Sequence, residues 1–147
     1  MKYLTGITLI TLLFSPAWLY ASQDFSSEIE SRQAAFSAIE EYNEQIEDVL
    51  ARSDSDWVLL EKRSVELVEL SNSLIQLFPS GSAENSKAKE SIWKNSDDFN
   101  KKLSVMQAHY SALEQGIKSK DKSAVEKALK QVNSTCRSCH RSYRSRW

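Results

Sequence analysis

The stretch Val125-Glu126-Lys127-Ala128-Leu129-Lys130-Gln131-Val132-Asn133-Ser134-Thr135-Cys136-Arg137-Ser138-Cys139-His140-Arg141-Ser142-Tyr143 carries two patterns at once. Val125, Leu129, Val132, Cys136, Cys139 and Tyr143 step by four and three residues, the spacing of one helix seam, with His140 beside it. Within that seam, two cysteines three apart followed at once by histidine form the attachment signature of a c-type haem. Each thiol adds across one haem vinyl group to make a thioether, and two intervening residues let both sulfurs reach one porphyrin edge. The adjacent histidine then comes under the iron as an axial ligand. Cys136 and Cys139 are therefore the expected cofactor-binding residues, for one haem c, and His140 the expected metal ligand. These are the only two cysteines in the chain. A thioredoxin-like redox pair belongs near a βαβ pattern, and none is visible. A structural zinc site needs four ligands, whereas His109 is the only other strong soft ligand and has no matching second pair.

Three further helical blocks precede this one. Phe25, Ile29, Arg32, Phe36, Ile39, Asn43, Ile46 and Leu50 share the first seam. The cluster Ser53-Asp54-Ser55-Asp56 ends it and offers N-caps to the second block. That block steps through Trp57, Leu60, Ser64, Leu67, Ser71, Leu74 and Phe78 and stops at Pro79-Ser80-Gly81-Ser82. A polar connection reaches to about Lys87. The third block carries Ile92, Ser96, Phe99, Leu103, Met106, Tyr110, Leu113 and Ile117, with a break expected over Gly116 to Lys120. Only three glycines and two prolines occur in 147 residues, a composition suited to long helices. Four amphipathic helices with mostly short connections predict an all-α fold, an antiparallel four-helix bundle. Covalent haem would lie in its core, near the C-terminal end of the last helix.

At the other end of the chain, Met1-Lys2, the apolar run from Tyr3 through Phe14, and Ser15-Pro16-Ala17-Trp18-Leu19-Tyr20-Ala21 read as a secretory signal peptide. The run is interrupted by threonines, Gly6 and Pro16 and is short for a membrane span of about 20 residues. Residues 1–21 are thus expected to be removed, leaving a single domain over 22–147 that is exported to the periplasm and has no membrane segment after cleavage. That domain has 18 basic and 20 acidic residues, a near-neutral balance that gives no reason to expect nucleic acid. No Ser/His/Asp pattern, phosphate loop or supported acid/base pair is visible, so no enzyme activity is expected.

With these residues in view, the chain resembles the cytochrome c prime family over nearly all of 22–147. Arg32-Gln33-Ala34-Ala35-Phe36 is similar to the first-helix signature, and Leu77-Phe78-Pro79-Ser80-Gly81-Ser82 to the turn after the second helix. Lys87-Ala88-Lys89-Glu90-Ser91-Ile92-Trp93, followed by Phe99, resembles the start of the third, and Tyr143-Arg144 behind the haem motif matches the C-terminal end. The resemblance implies a five-coordinate haem with His140 on one side and, at Phe36, an apolar residue that does not bind iron. Many relatives have methionine or leucine there. Periodicity alone would make Phe36 an ordinary core residue. Arg32 interrupts an apolar seam, and a buried charge needs a partner; a haem propionate suits a guanidinium, and the resemblance implies the same role. The resemblance also gives Arg144 a part in shaping the pocket beside His140, although Arg137, Arg141, Arg144 and Arg146 equally make a basic helix end. Met106 and His109 are the other residues able to supply a sixth ligand.

Function then turns on the open iron position. The resemblance implies binding of the diatomic gases nitric oxide and carbon monoxide, with the nitric oxide displacing the histidine in some relatives. Phe36 offers no hydrogen bond to bound dioxygen. Relatives are commonly homodimers through their first two helices, and Leu59, Val65 and Val68 off the second seam fit that. An electron-transfer cytochrome with a periplasmic redox partner is the alternative, and a non-haem helical binding module a third reading.

Overall fold

The computed structural model describes residues 24–146; the expected signal peptide lies outside them. The described chain is an antiparallel four-helix bundle of α1 (Ser26–Leu50), α2 (Trp57–Ser73), α4 (Ser96–Lys118) and α5 (Lys122–Tyr143), with the single turn α3 (Ser91–Lys94) leading into α4. A 3-10 turn over Leu74–Gln76 ends α2.

Local chemistry sets the helix ends. The Asp56 carboxylate accepts the N–H groups of Val58 and Leu59, each at 3.1 Å, and caps α2 from the polar cluster where a cap was expected. Asp121 does the same for α5 through the Ala124 N–H at 3.0 Å. The break expected over Gly116 to Lys120 is found at the end of that range, after α4 closes at Lys118. There Lys120 takes a left-handed φ of 54°, and the N–H groups of Lys120 and Asp121 close on the carbonyls of Ile117 and Gly116, both at 2.9 Å. Gly116 serves packing instead. A β-carbon on it would stand 3.1 Å from the Val125 nitrogen, so its absence lets α4 and α5 meet closely. The third block is also two helices and not one: Asn95, at φ −128° and ψ 49°, interrupts it between α3 and α4.

Most residues of the seams read from the sequence form the core, although Ser96 is exposed and Phe25, Ile29 and Phe36 are only half-buried. Leu60, Leu67, Leu74, Tyr110, Leu113, Val125 and Val132 are fully buried. Ser64 and Ser71, small members of the α2 seam, satisfy their buried hydroxyls on the carbonyls of Glu61 and Val68, both at 2.9 Å. Backbone packing joins α4 to α5, α2 to α4 and α1 to α2. Between α1 and α5 the contact is confined to one end, where Lys122 Nζ donates to the Leu50 carbonyl and Asn133 Nδ2 to Glu47, each at 2.9 Å. Beyond that point the two helices stand apart, and the gap between them holds the site.

Candidate functional site

A cavity of about 890 Å³ fills this gap, bounded by α1, α4, α5 and the segment after Phe78. Its size lies in the range of ligand and cofactor pockets. Phe36 and Ile39 from α1, Leu103 and Met106 from α4, and Phe78 and Ile92 form much of its apolar wall. All six residues singled out from sequence (Arg32, Phe36, Cys136, Cys139, His140 and Arg144) line it. Since α1 and α5 are opposite walls, Phe36 and His140 approach the same space from different helices.

Cys136 and Cys139 are free thiols, half-buried on the α5 wall. Burial pushes the Cys136 thiol up, and burial with the neighbouring Cys136 takes Cys139 to about 11, so both are neutral thiols at pH 7 before any bond is made. Burial and then the positive charge of Arg144 lower the pKa of His140, leaving the imidazole neutral and its lone pair available to a metal. Two free thiols one helical turn apart, a neutral imidazole next to them and an apolar cavity of this volume fit a haem c. Cys136 and Cys139 would hold it and His140 would ligate its iron.

Arg32 is 3 % exposed and already well supplied with partners. Its Nη1 donates to the Leu77 carbonyl at 3.2 Å and Ser82 Oγ at 2.7 Å; its Nη2 donates to the Ser82 carbonyl at 2.6 Å and Ser86 Oγ at 2.9 Å. The guanidinium also lies over the Phe78 ring, 4.7 Å from its centroid. Every one of these partners is neutral, so the buried cation has hydrogen bonds but no paired carboxylate among the described residues.

Arg144 departs from its expected place. The four-residue spacing from His140 predicts one further helical turn, but α5 ends at Tyr143 and Arg144 is extended, at φ −109° and ψ 130°. It makes an antiparallel bridge with Ala88. Met106 is buried and faces the cavity, whereas His109 is not part of its lining. His109 Nδ1 lies 3.1 Å from Thr135 Oγ1. Thr135 Oγ1 also lies 3.0 Å from the Gln131 carbonyl. Trp93 packs outside the cavity, with its indole N–H on the Phe78 carbonyl at 3.1 Å.

Contacts among residues already named on the seams were missed in the sequence. An edge-to-face aromatic column runs Phe36–Phe78–Phe99–Tyr143, with centroids 6.4, 4.8 and 5.2 Å apart, and Tyr143 Oη donates to Asp98 at 2.7 Å. Asn43 Nδ2 donates to Tyr110 Oη at 2.8 Å, while its Oδ1 is buried without a partner. A polar residue in an apolar seam was the available signal. Ser82 and Ser86 gave none, because only the folded loop brings them to Arg32.

Comparison with known proteins agrees with this geometry. The family described as Cytochrome C' matches residues 27–144. A cytochrome c-554 of Cereibacter sphaeroides is 36 % identical over 75 residues, which is 48 % of this chain and 48 % of that protein. The chain thus spans about half the length of the curated relatives it matches. Among solved structures, cytochrome c prime from Shewanella frigidimarina superposes with a TM-score of 0.78 at 26 % identity, covering 84 % of this chain and 98 % of that one. The nitric oxide complex of a mutant cytochrome c prime from Alcaligenes xylosoxidans gives the same TM-score at 20 % identity, over 86 % and 99 %.

Proposed function

The chain belongs to the cytochrome c' family and carries covalently bound haem c, and from that premise we propose that it is a periplasmic gas-binding protein, taking nitric oxide and carbon monoxide on five-coordinate iron. The observation that carries this reading is the pairing of walls: His140 faces the cavity from α5, and Phe36, which cannot ligate a metal, faces it from α1. Bound ferrous haem supplies an iron with one position free for a diatomic ligand.

The protein's own groups do the rest. Cys136 and Cys139 anchor the cofactor at the α5 wall. His140, kept neutral, would ligate the iron. Phe36 would crowd the opposite side, exclude water and offer no hydrogen bond, which withholds the stabilisation that bound dioxygen gains from a distal donor. Arg32 contributes a buried positive charge at the cavity wall, suited to a haem carboxylate, and Arg144 adds positive charge beside His140. No catalytic step is assigned to any of these residues. A homodimer through α1 and α2 accords with the family and with the outward apolar residues Val65 and Val58 of α2, 36 % and 81 % exposed; Leu59 and Val68, expected beside Val65, are half-buried and pack against the core of the same chain.

Absorption spectra of the haem-loaded protein test the proposal. A broad high-spin reduced spectrum that shifts under carbon monoxide and under nitric oxide is expected. The second reading, a periplasmic electron carrier, draws on the cavity-facing Met106 as a sixth ligand. A sharp low-spin reduced spectrum indifferent to carbon monoxide would establish that reading and overturn the first.

A further inference from the structure

The helix that bears the haem motif ends immediately beyond it, and a helix terminus leaves its last four carbonyls without intrahelical partners. On α5 these belong to His140, Arg141, Ser142 and Tyr143. The Arg144 N–H closes on the first at 3.1 Å. The other three are met from outside the helix by two residues of one segment. Lys89 Nζ donates to the Arg141 carbonyl at 3.2 Å, Ser91 Oγ to the Ser142 carbonyl at 3.2 Å, and the Lys89 N–H to the Tyr143 carbonyl at 3.0 Å. The Ser145 N–H returns a bond to the Lys87 carbonyl at 2.8 Å, completing the bridge between Ala88 and Arg144. Residues 87–91 are therefore the cap of the helix that carries His140.

That cap is held in turn from the opposite wall, and Ser86 is the joint. A serine hydroxyl has one proton to donate and two lone pairs to accept with, and Ser86 uses all three. Its Oγ donates to the Ala83 carbonyl at 2.8 Å, accepts from Arg32 Nη2 at 2.9 Å, and accepts from the Ala88 N–H at 3.2 Å. Arg32 stands one helical turn before Phe36 on α1. A continuous run of hydrogen bonds thus leads from α1, through Ser86, to the terminus of α5, across a gap where the two helices barely meet.

We propose that Ser86 is a positioning residue for His140: by fixing residues 87–91 from Arg32, it holds the last turn of α5, and with it the axial histidine, in place. The proposal rests on His140 being the iron ligand. It gives Ser86, which lines the cavity but is neither a thioether cysteine nor an iron ligand, a measurable effect on the strength of the proximal bond, and it ties that bond to the wall that bears Phe36.

The test uses the haem-loaded protein and two variants, Ser86→Ala, which deletes all three bonds, and Ser86→Thr, which keeps the hydroxyl. Amide hydrogen exchange reads the cap directly. Loss of about one hydrogen bond's worth of local protection makes the Lys89 and Ser145 N–H groups exchange roughly tenfold faster in Ser86→Ala, with Leu113 in the core unchanged and Ser86→Thr close to native. Resonance Raman of the reduced protein reads the consequence. The iron–histidine stretching band shifts or broadens in Ser86→Ala and returns in Ser86→Thr. Unchanged exchange at Lys89 and Ser145 overturns the proposal, as does faster exchange with a native iron–histidine band. If the native protein itself shows no such band, the assignment of His140 as ligand fails, and the proposal with it.

Discussion

Replacing Arg32 with methionine isolates what the buried guanidinium does for the fold. Methionine keeps much of the apolar stem and can still lie against Phe78, so the change removes donors and charge more than volume. Four acceptors lose a partner: the carbonyls of Leu77 and Ser82 and the hydroxyls of Ser82 and Ser86. The Ser86 hydroxyl retains Ala83 and Ala88, and the Leu77 bond, at 3.2 Å, is the longest of the set. Ser82 is only 1 % exposed, so its two oxygens bear most of the loss. An unpaired buried polar group costs about 1–3 kcal/mol. Two such groups, offset in part by no longer burying a cation, give an expected loss of about 2–4 kcal/mol. Urea unfolding of the haem-loaded protein, followed by far-ultraviolet circular dichroism, measures it as a lower midpoint at unchanged slope. Adding Ser82→Ala to Arg32→Met removes one of the orphaned oxygens and should recover about 1 kcal/mol of that loss, a coupling read from the double-mutant cycle. A single Arg32→Met variant within about 0.5 kcal/mol of native would refute the reasoning, because it would mean that desolvation of the cation cancels its hydrogen bonds.

Other perturbations follow from the same structure. Leu67→Ala, at a fully buried position, should lose about 2–5 kcal/mol in urea unfolding. Asp56→Ala deletes the acceptor for two N–H groups at the start of α2 and should lower stability by about 1 kcal/mol in the same assay, with Asp56→Asn near native. Burial, reinforced by the hydrogen bond to Asp98, holds the Tyr143 phenol up to about 12, against 10.0 ordinarily. The unfolded chain therefore releases this proton first as the solution becomes alkaline, and the stability Tyr143 contributes is complete below pH 10 and declines as pH rises toward 12. Tyr143→Phe should flatten that part of the stability profile, and an unaltered slope between those pH values would contradict the assignment.

Much of the bundle was legible because its determinants are local. Seams such as Leu60-Ser64-Leu67-Ser71 repeat with the helical period, and Asp56 and Asp121 need only the backbone two or three residues ahead of them. The cysteine pair is likewise a local chemical unit, since the reach of two thiols to one porphyrin depends on their spacing alone. Gly116 shows the limit of that reading. A lone glycine suggests a break, but its effect here depends on Val125 crossing within van der Waals distance, and Lys120 takes the left-handed turn in its place.

Arg32 and Arg144 mark the same boundary at the site. Sequence placed one on a buried seam and the other one turn after His140, and both do line the cavity. It could not show that Arg32 is met by Ser82 and Ser86, some fifty residues on, nor that Arg144 leaves the helix to pair with Ala88. Those contacts join segments whose proximity arises only when the bundle closes. By itself, then, the sequence determined four amphipathic helices, the haem-attachment motif and the residue types offered to the iron, because period and short-range spacing encode them. Tertiary structure alone decided how far α1 and α5 part to make the cavity, and how the segment between them closes over the end of the helix that bears His140.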